Sequence, residues 1–571
     1  MEDIAKNKFI DQLMGEMTLE EKIGQCLVLG YTGTVITPEI LWRIKNYHPA
    51  GIRAGFYWRM RTAKHDPGCT PPEFAHMTER TAFGTIKDYI PGYPIPHCTN
   101  EEFCTFLNRL KQEALSSGKN IPMHITFDFE GDQSGDYYRG GAHHFPSCMG
   151  LAQSKDPKMA YDVAWAIGTQ LAPLGFSWIH SPVLDVNTNP MNPEIGVRSY
   201  GEDAETVIKY ALESLRGFQD TGIITTGKHF PGRGASTSDA HAGLPVINLS
   251  LSELKEHLQP YQQLIDAGLP SIMTAHSVYP KIDASGLPAT LSKTILTDLL
   301  KGDMGFKNVI TTDEMSMGGI LAKFELADAC IQALNAGADL LLMRDEGAII
   351  HEVFPALVDA VKNKKLPLSR IEDANRRVLS VKYDYGFFKE NSSYLLKDES
   401  KASDGINHPK VHQICQDAAN KAATILRDED SILPLNVNAK VLLIEQVNPM
   451  HANINTQHCH PSIFWEKLLE HSENVGSIET HMVYSDEDKQ RILARYDQAD
   501  VIIITNYYGR QHLKGNSFVK EVASWGKPTI VVTNSPYPFT VMPEYNNVIV
   551  TYGCSTESLK AASMLIYGVK S

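Results

Sequence analysis

The chain has 571 residues, of which 43% are hydrophobic and 21% charged, and its 53 Lys plus Arg against 67 Asp plus Glu give a formal charge of −14. That length predicts at least two domains, and the ordinary globular composition excludes disorder, collagen and coiled coil for the bulk of the chain. A net acidic surface speaks against a broad nucleic-acid or anionic-membrane footprint.

Two regimes follow in chain order. From about residue 20 to 388, short apolar runs alternate with stretches of helical period, the pattern of βα units and a parallel sheet. The candidate strands are 24–30, 50–56, 123–129, 176–186, 224–230, 271–279, 308–315 and 338–344, with helical stretches such as 156–175 and 204–220 between them. Eight βα units over this length predict a TIM (β/α)8 barrel with insertions, the doubly wound open sheet being the alternative. Polar residues recur at the C-terminal ends of the strands, which favours the barrel.

The interval 57–100 is too long for an ordinary connection and leaves a strand at its C-terminal end. Its Tyr57, Trp58 and Arg59 could shape a sugar pocket, or the segment could be an excursion that packs on itself. Residues 389–410 are polar and aperiodic and read as a linker. Beyond it, the helix-like 411–426 leads to apolar runs at 440–447, 500–508, 529–536 and 547–552, which predict a second, smaller α/β domain over 411–571.

The nine cysteines are scattered, odd in number and without a CxxC pair, as free thiols in a reducing compartment would be. The first residues, MEDIAKNKFIDQLMGEM, are charged throughout and lack the apolar core of a secretory signal. No apolar run approaches the roughly 20 residues of a membrane span. The expected location is the cytoplasm.

The densest polar cluster is KHFPGRGASTSDAH, 228–241. Its strand ends in Lys228 and His229, and Pro231, Gly232 and Gly234 then impose a loop. Asp239 and His241 stand two apart, so in extended backbone their side chains point the same way. A carboxylate beside an imidazole fixes its tautomer and stabilises the imidazolium, as a general acid/base needs. A lone D-x-H is also common in ordinary loops.

A second cluster, VITTDEMSMGGI (309–320), delivers Asp313 and Glu314 at a strand end. Asp313 is a candidate nucleophile or base there, or an ordinary helix N-cap. Glu314 points to the other face if the strand continues. By the same logic Asp128 and Glu130 share one face, and Asp185, Arg198 and His276 lie at further strand ends. A barrel brings these ends together into one polar pocket suited to a neutral polyhydroxylated ligand.

GxGxxG, GxxxxGK[ST], GxSxG and HExxH are all missing, so no nucleotide cofactor or zinc peptidase site is indicated and no cofactor is expected. His143–His144 and His458–Cys459–His460 tempt a metal reading, but sequence neighbours rarely converge on one ion, and no metal is expected.

At these residues the chain resembles glycoside hydrolase family 3, in its β-N-acetylglucosaminidase branch. KHFPGRGASTSDAH is similar to the branch's acid/base loop and VITTDEMSMGGI to its nucleophile strand. SPVLDV, IGVRSYGED, MTAHSVYP and NAGADLLLM fall in the family's order. The resemblance covers roughly 15–388, and more weakly the tail after 410, which is similar to the family's α/β sandwich domain.

The resemblance implies a retaining, exo-acting β-N-acetylglucosaminidase on cell-wall- or chitin-derived oligosaccharides. Asp313 would be the nucleophile, His241 the acid/base and Asp239 its orienting partner. Asp128, Arg198, Lys228, His229, His276 and Arg233 would bind substrate. The implied partner is a small carbohydrate, and a homodimer is allowed.

A neutral imidazole also leaves room for phosphate, and some relatives resemble phosphorylases. A β-glucosidase and a non-catalytic sugar binder are the other readings. The chain departs from the branch in carrying Arg233 where His is usual, in DFEGDQSGDYYRGG after the third strand, and in the 57–100 insertion.

Overall fold

The computed structural model describes residues 2–32, 35–55, 99–132, 134–137, 140–241, 243–343, 347–446, 462–480, 484–508 and 516–570. The 57–100 insertion with Tyr57, Trp58 and Arg59 lies outside the described residues except for Thr99 and Asn100, as does His458–Cys459–His460. No helix among the described residues is long and apolar enough to cross a membrane.

The strands run β1 (Leu27–Thr32), β2 (Gly51–Gly55), β3 (His124–Phe127), a hairpin of β4 (Phe129–Gly131) and β5 (Ser134–Gly135), then β6 (Trp178–Ile179), β7 (Ile224–Phe230), β8 (Ser271–Thr274), β9 (Val309–Thr311) and β10 (Leu341–Leu342). Apart from the hairpin they form one 8-stranded sheet in the order β10-β1-β2-β3-β6-β7-β8-β9. Every pairing within it is parallel, and a parallel bridge between Thr311 and Leu340 joins its two ends. The (β/α)8 barrel predicted from the sequence is the one observed.

The local chemistry explains the elements. Every residue of β7 is buried, because a barrel strand is covered by packed side chains inside and helices outside. The helix Ala204–Asp220 buries Val207, Ala211, Leu215 and Phe218 on one face. Asp203 caps it, accepting the Thr206 N–H at 2.8 Å. The helix Asn100–Leu115 opens on a capping box, Thr99 Oγ1 accepting from Glu102 N and the Glu102 carboxylate accepting from Thr99 N.

The segment 389–410 lies along the barrel wall. Asn108 Nδ2 donates to Lys397 O at 2.9 Å, and Ser403 Oγ donates to Glu101 at 2.7 Å. Ala402 and Ile406 are buried. Many of its polar side chains face solvent, while Ser403, Tyr394 and the Lys397 backbone tie it to the barrel.

The second sheet has six strands: β11 (Thr424–Asp428), β12 (Val441–Gln446), β13 (Val475–Thr480), β14 (Val501–Thr505), β15 (Thr529–Thr533) and β16 (Asn547–Val550). Their order is β11-β16-β15-β14-β12-β13, antiparallel only between β11 and β16. Alternate residues pack into two cores, Ile444, Ile502 and Val531 in one and Leu443, Ile503 and Ile530 in the other. Both faces of the sheet are therefore covered, as in an α/β sandwich.

The carboxyl ends of these strands meet the barrel rim. Asn534, just past β15, donates to Asp132 Oδ2 at 2.8 Å, and the Cys554 N–H, past β16, donates to Asp132 Oδ1 at 3.1 Å. The Tyr508 hydroxyl, past β14, donates to Pro193 O. Each of these contacts lands on a loop at the carboxyl end of a barrel strand, the face that carries function in this fold.

Candidate active site

A chain of alternating charge lines one side of the rim. Arg53, in the middle of β2, donates to Asp128 Oδ2 at 2.6 Å and to both Asp136 oxygens at 3.1 Å. Lys228, near the end of β7, places Nζ 2.8 Å from Asp128 Oδ1 and 2.6 Å from Glu130 Oε1. Arg198 grips the Glu130 carboxylate with Nε at 2.6 Å and Nη2 at 2.9 Å. His180 Nδ1 lies 3.4 Å from Asp128.

Burial alone would neutralise these groups. Burial pushes Asp128 up, but Lys228 and Arg53 outweigh it and hold its carboxyl well below the usual range. Burial pushes Glu130 up likewise, and Arg198 and Lys228 bring it down. Charged donors and acceptors of this kind recognise hydroxyl groups strongly.

The second cluster surrounds Asp313, just beyond β9. Arg233 Nη2 lies 3.5 Å from Asp313 Oδ2, His229 Nε2 lies 4.0 Å from it, and the Glu314 N–H donates to Oδ1 at 2.8 Å. Burial would raise the Asp313 carboxyl, but the charges of Arg233, His276 and His241 hold it below the usual range. Its side chain keeps 13% of its exposure. An ionised carboxylate with an accessible edge has the chemistry a nucleophile needs.

The loop 231–235 is built to approach closely. A side chain at Gly234 would come within 1.7 Å of Val186 O, and Gly232 adopts φ +110°. Only glycine fits those two positions, so the loop folds down onto the strand end that carries Asp185. Asp185 accepts the His229 N–H at 3.2 Å, faces His229 Nδ1 at 2.7 Å and accepts the Arg233 N–H at 2.7 Å. Asp185 thereby orients His229, leaving its Nε2 on the Asp313 side.

The third cluster holds Asp239 and His241. His241 Nδ1 lies 2.8 Å from Asp239 Oδ1, which also accepts the His241 N–H at 2.8 Å. The His241 side chain is 46% exposed and the Asp239 side chain 17%. Glu194, fully buried, lies 3.4 Å from His241 Nδ1, accepts the Ala240 N–H at 3.2 Å and pairs with Arg233 at 2.7 Å. Donor atoms of Glu194, Asp239 and His241 lie within 4.8 Å of one another, a spacing a divalent ion could use, although the Arg233 guanidinium already neutralises Glu194.

The barrel thus brings Asp128, Arg198, Lys228, His229, Arg233, Asp239, His241 and Asp313 to one rim. His276 is different. It is fully buried, with Nδ1 2.8 Å from Thr290 Oγ1 and Nε2 2.9 Å from Glu314 O, so the protein engages both ring nitrogens. Arg233 is 1% exposed and directs its charge inward. The Glu314 carboxylate folds back onto the N–H and hydroxyl of Ser316, away from Asp313.

Sequence reasoning missed Arg53, Asp136, His180 and Glu194. Arg53 had a signal, a cation inside an otherwise apolar strand. Glu194 sits one residue before the stretch IGVRSYGED, and its partner Arg233 is remote in sequence.

The sequence pattern of the Glycosyl hydrolase family 3 N terminal domain matches residues 97–381. A β-hexosaminidase of Tolumonas auensis is 32% identical over 267 residues, 46% of this chain and 76% of that protein. The chain belongs to glycosyl hydrolase family 3. β-Hexosaminidase A of Pseudoalteromonas piscicida is 30% identical over 394 residues, and the match covers 65% of this chain and 64% of that protein, slightly under two thirds of its length. A family 3 β-N-acetylglucosaminidase structure from Paenibacillus sp. str. FPU-7 superposes with a TM-score of 0.83 over 97% of each chain at 24% identity, a likeness of fold across both domains.

Proposed function

We propose that this family 3 chain is a retaining, exo-acting β-N-acetylglucosaminidase that removes terminal β-linked N-acetylglucosamine from cell-wall- or chitin-derived oligosaccharides. One observation carries the reading: an ionised, partly exposed Asp313 shares the rim with the Asp239–His241 pair, and the His241 charge bears on it. The β-hexosaminidase names of the relatives support the choice of sugar. The cytoplasmic location is part of the proposal and rests on the six described cysteines, all free and buried.

The geometry supports double displacement. Asp313 attacks the anomeric carbon while His241 gives its proton to the leaving glycosidic oxygen. The result is a glycosyl-enzyme ester on Asp313. His241, now neutral, takes a proton from water, which attacks the same carbon and releases Asp313. Two inversions leave the configuration retained. Asp239 holds Nδ1, so Nε2 carries the transferred proton and the imidazolium is stabilised. Asp128, Lys228, Arg198 and His229 hold the sugar hydroxyls. The Arg233 charge is balanced by the Glu194 and Asp313 carboxylates, which supports water over phosphate as the acceptor.

The test is nitrophenol release from the aryl β-N-acetylglucosaminide and the aryl β-glucoside, each with and without phosphate. Preferential, phosphate-independent turnover of the first substrate is expected. Asp313→Ala should abolish it with the fold intact. Sugar 1-phosphate as product would replace hydrolysis by phosphorolysis, preference for the glucoside would change the sugar, and no turnover would leave a sugar-binding protein.

A further inference from the structure

We propose that Glu194 is a positioning residue that couples the acid/base to the nucleophile, a role that rests on the double-displacement reading and extends it. Glu194 is buried on the loop that follows the strand-end Asp185, and no assignment above gives it work. Its carboxylate has three partners with different duties. Oε1 pairs with Arg233 Nη2 at 2.7 Å, and the same guanidinium nitrogen stands 3.5 Å from Asp313 Oδ2. Oε1 also lies 3.4 Å from His241 Nδ1, and Oε2 accepts the Ala240 N–H at 3.2 Å, within the acid/base loop itself. His241, Glu194, Arg233 and Asp313 therefore form one continuous line of alternating charge.

The line has a physical consequence. Asp239 is partly exposed and its pull on the imidazole is screened by solvent, whereas Glu194 is 1% exposed, so solvent screens it less, although it shares its charge with Arg233. Each time His241 holds two protons, two carboxylates face its Nδ1–H instead of one. The same carboxylate draws the Arg233 charge away from Asp313, so the nucleophile stays ionised without being fully neutralised. The Ala240 bond fixes the loop, and the Gly319 N–H bond to Ala240 O at 2.9 Å fixes its other side. Arg233 in place of a neutral residue is what makes a buried Glu194 tolerable, since a lone buried carboxylate would be strongly destabilising.

The measurement is kcat/KM for aryl β-N-acetylglucosaminides of graded leaving-group acidity, for wild type, Glu194→Gln and Glu194→Asp, with melting temperatures alongside. In Glu194→Gln, Arg233 leans fully on Asp313, which slows every substrate alike. Weakened support of the imidazolium adds a loss that grows as the leaving group worsens. The expected loss is about 10–100-fold for phenol and under about fivefold for dinitrophenol, within the range of acid assistance. Glu194→Asp keeps the charge one methylene short and should recover part of the slope.

A loss independent of the leaving group in both variants would overturn the proposal, because packing alone affects all substrates equally. If the Gln variant does not fold, the Asp variant decides by the same slope. Wild-type turnover of aryl β-glucosides only would correct the sugar while leaving the comparison valid on that series. A wild type inactive on both series would overturn the activity and the role of Glu194 together.

Discussion

Asp185 shows how one buried carboxylate sets the working range of its neighbours. Burial pushes its carboxyl up to about 6, against the lowering charge and N–H of Arg233. Asp313 moves the other way and stays ionised well into acid. As pH falls through about 6, therefore, Asp185 takes up a proton before Asp313, the proposed nucleophile, does. Protonation converts an acceptor of the His229 and Arg233 N–H groups into a partial donor, and the ring that faces Asp313 loses its anchor. The expected result is an acid limb in kcat/KM centred near 6, set by Asp185 and not by Asp313. Asp185→Asn should remove that limb and lower the plateau about 10–100-fold, the worth of one charge-assisted hydrogen bond. An unchanged limb in the variant would assign it elsewhere.

At the scale of elements, the barrel separates a working end from a supporting end. Lys382, on the helix Leu368–Asp384, is fully buried under the amino ends of the strands. Its Nζ donates to Ala50 O and Pro122 O at 2.8 Å and to Gln25 Oε1 at 3.2 Å. Those acceptors precede β2, β3 and β1, so one ammonium ties three strands to the closing helix. Lys382→Met leaves the acceptors unpaired, at a cost of about 2–4 kcal/mol. The melting temperature should drop by about 5 °C while kcat and KM stay within about twofold. A fall in kcat at an unchanged melting temperature would contradict that division.

The same division explains what the sequence made legible. The eight barrel strands announce themselves as apolar runs because both of their faces are buried. The rim residues Asp128, Asp313, Asp239 and His241 stand out because polar groups end those runs. Besides the short β4–β5 hairpin, the two strands of the second sheet that were missed are its edges. β13, VGSIET, is partly exposed and carries too few apolar residues to form a run. β11 follows the helix Pro409–Ala422 after a single residue, so helical and extended signals merge within 411–426. The links Arg53–Asp128 and Glu194–Arg233 were hidden for another reason. They join distant segments, and only closure of the barrel brings them together.

At the scale of the whole molecule, the sandwich meets the barrel through a shared apolar cluster that includes Met149, Val197, Tyr537 and Tyr552, and through polar contacts of which Asp132 takes two. It lies at the tip of the β4–β5 hairpin, next to the strand that presents Glu130, in a left-handed turn with φ +46°. Its own N–H donates to Phe145 O at 2.8 Å, while its carboxylate receives Asn534 and Cys554 from the second domain. Glu130 in turn positions Lys228 and Arg198. Support of this hairpin is one route by which the second domain reaches the proposed sugar site. Asp132→Ala removes the carboxylate and leaves the barrel core untouched. Glu130 and Lys228 should then lose their fixed registry, and a misplacement of even a fraction of an ångström lowers a rate sharply. The expected change is a fall in kcat/KM of about tenfold, carried mainly by KM because the groups released are those proposed to bind hydroxyls, with the response to leaving-group acidity unchanged because His241 is not touched. Unfolding should also divide into two transitions, since fewer bonds couple the domains. A wild-type kcat/KM together with separated transitions would restrict Asp132 to joining the domains and would detach the sandwich from sugar binding.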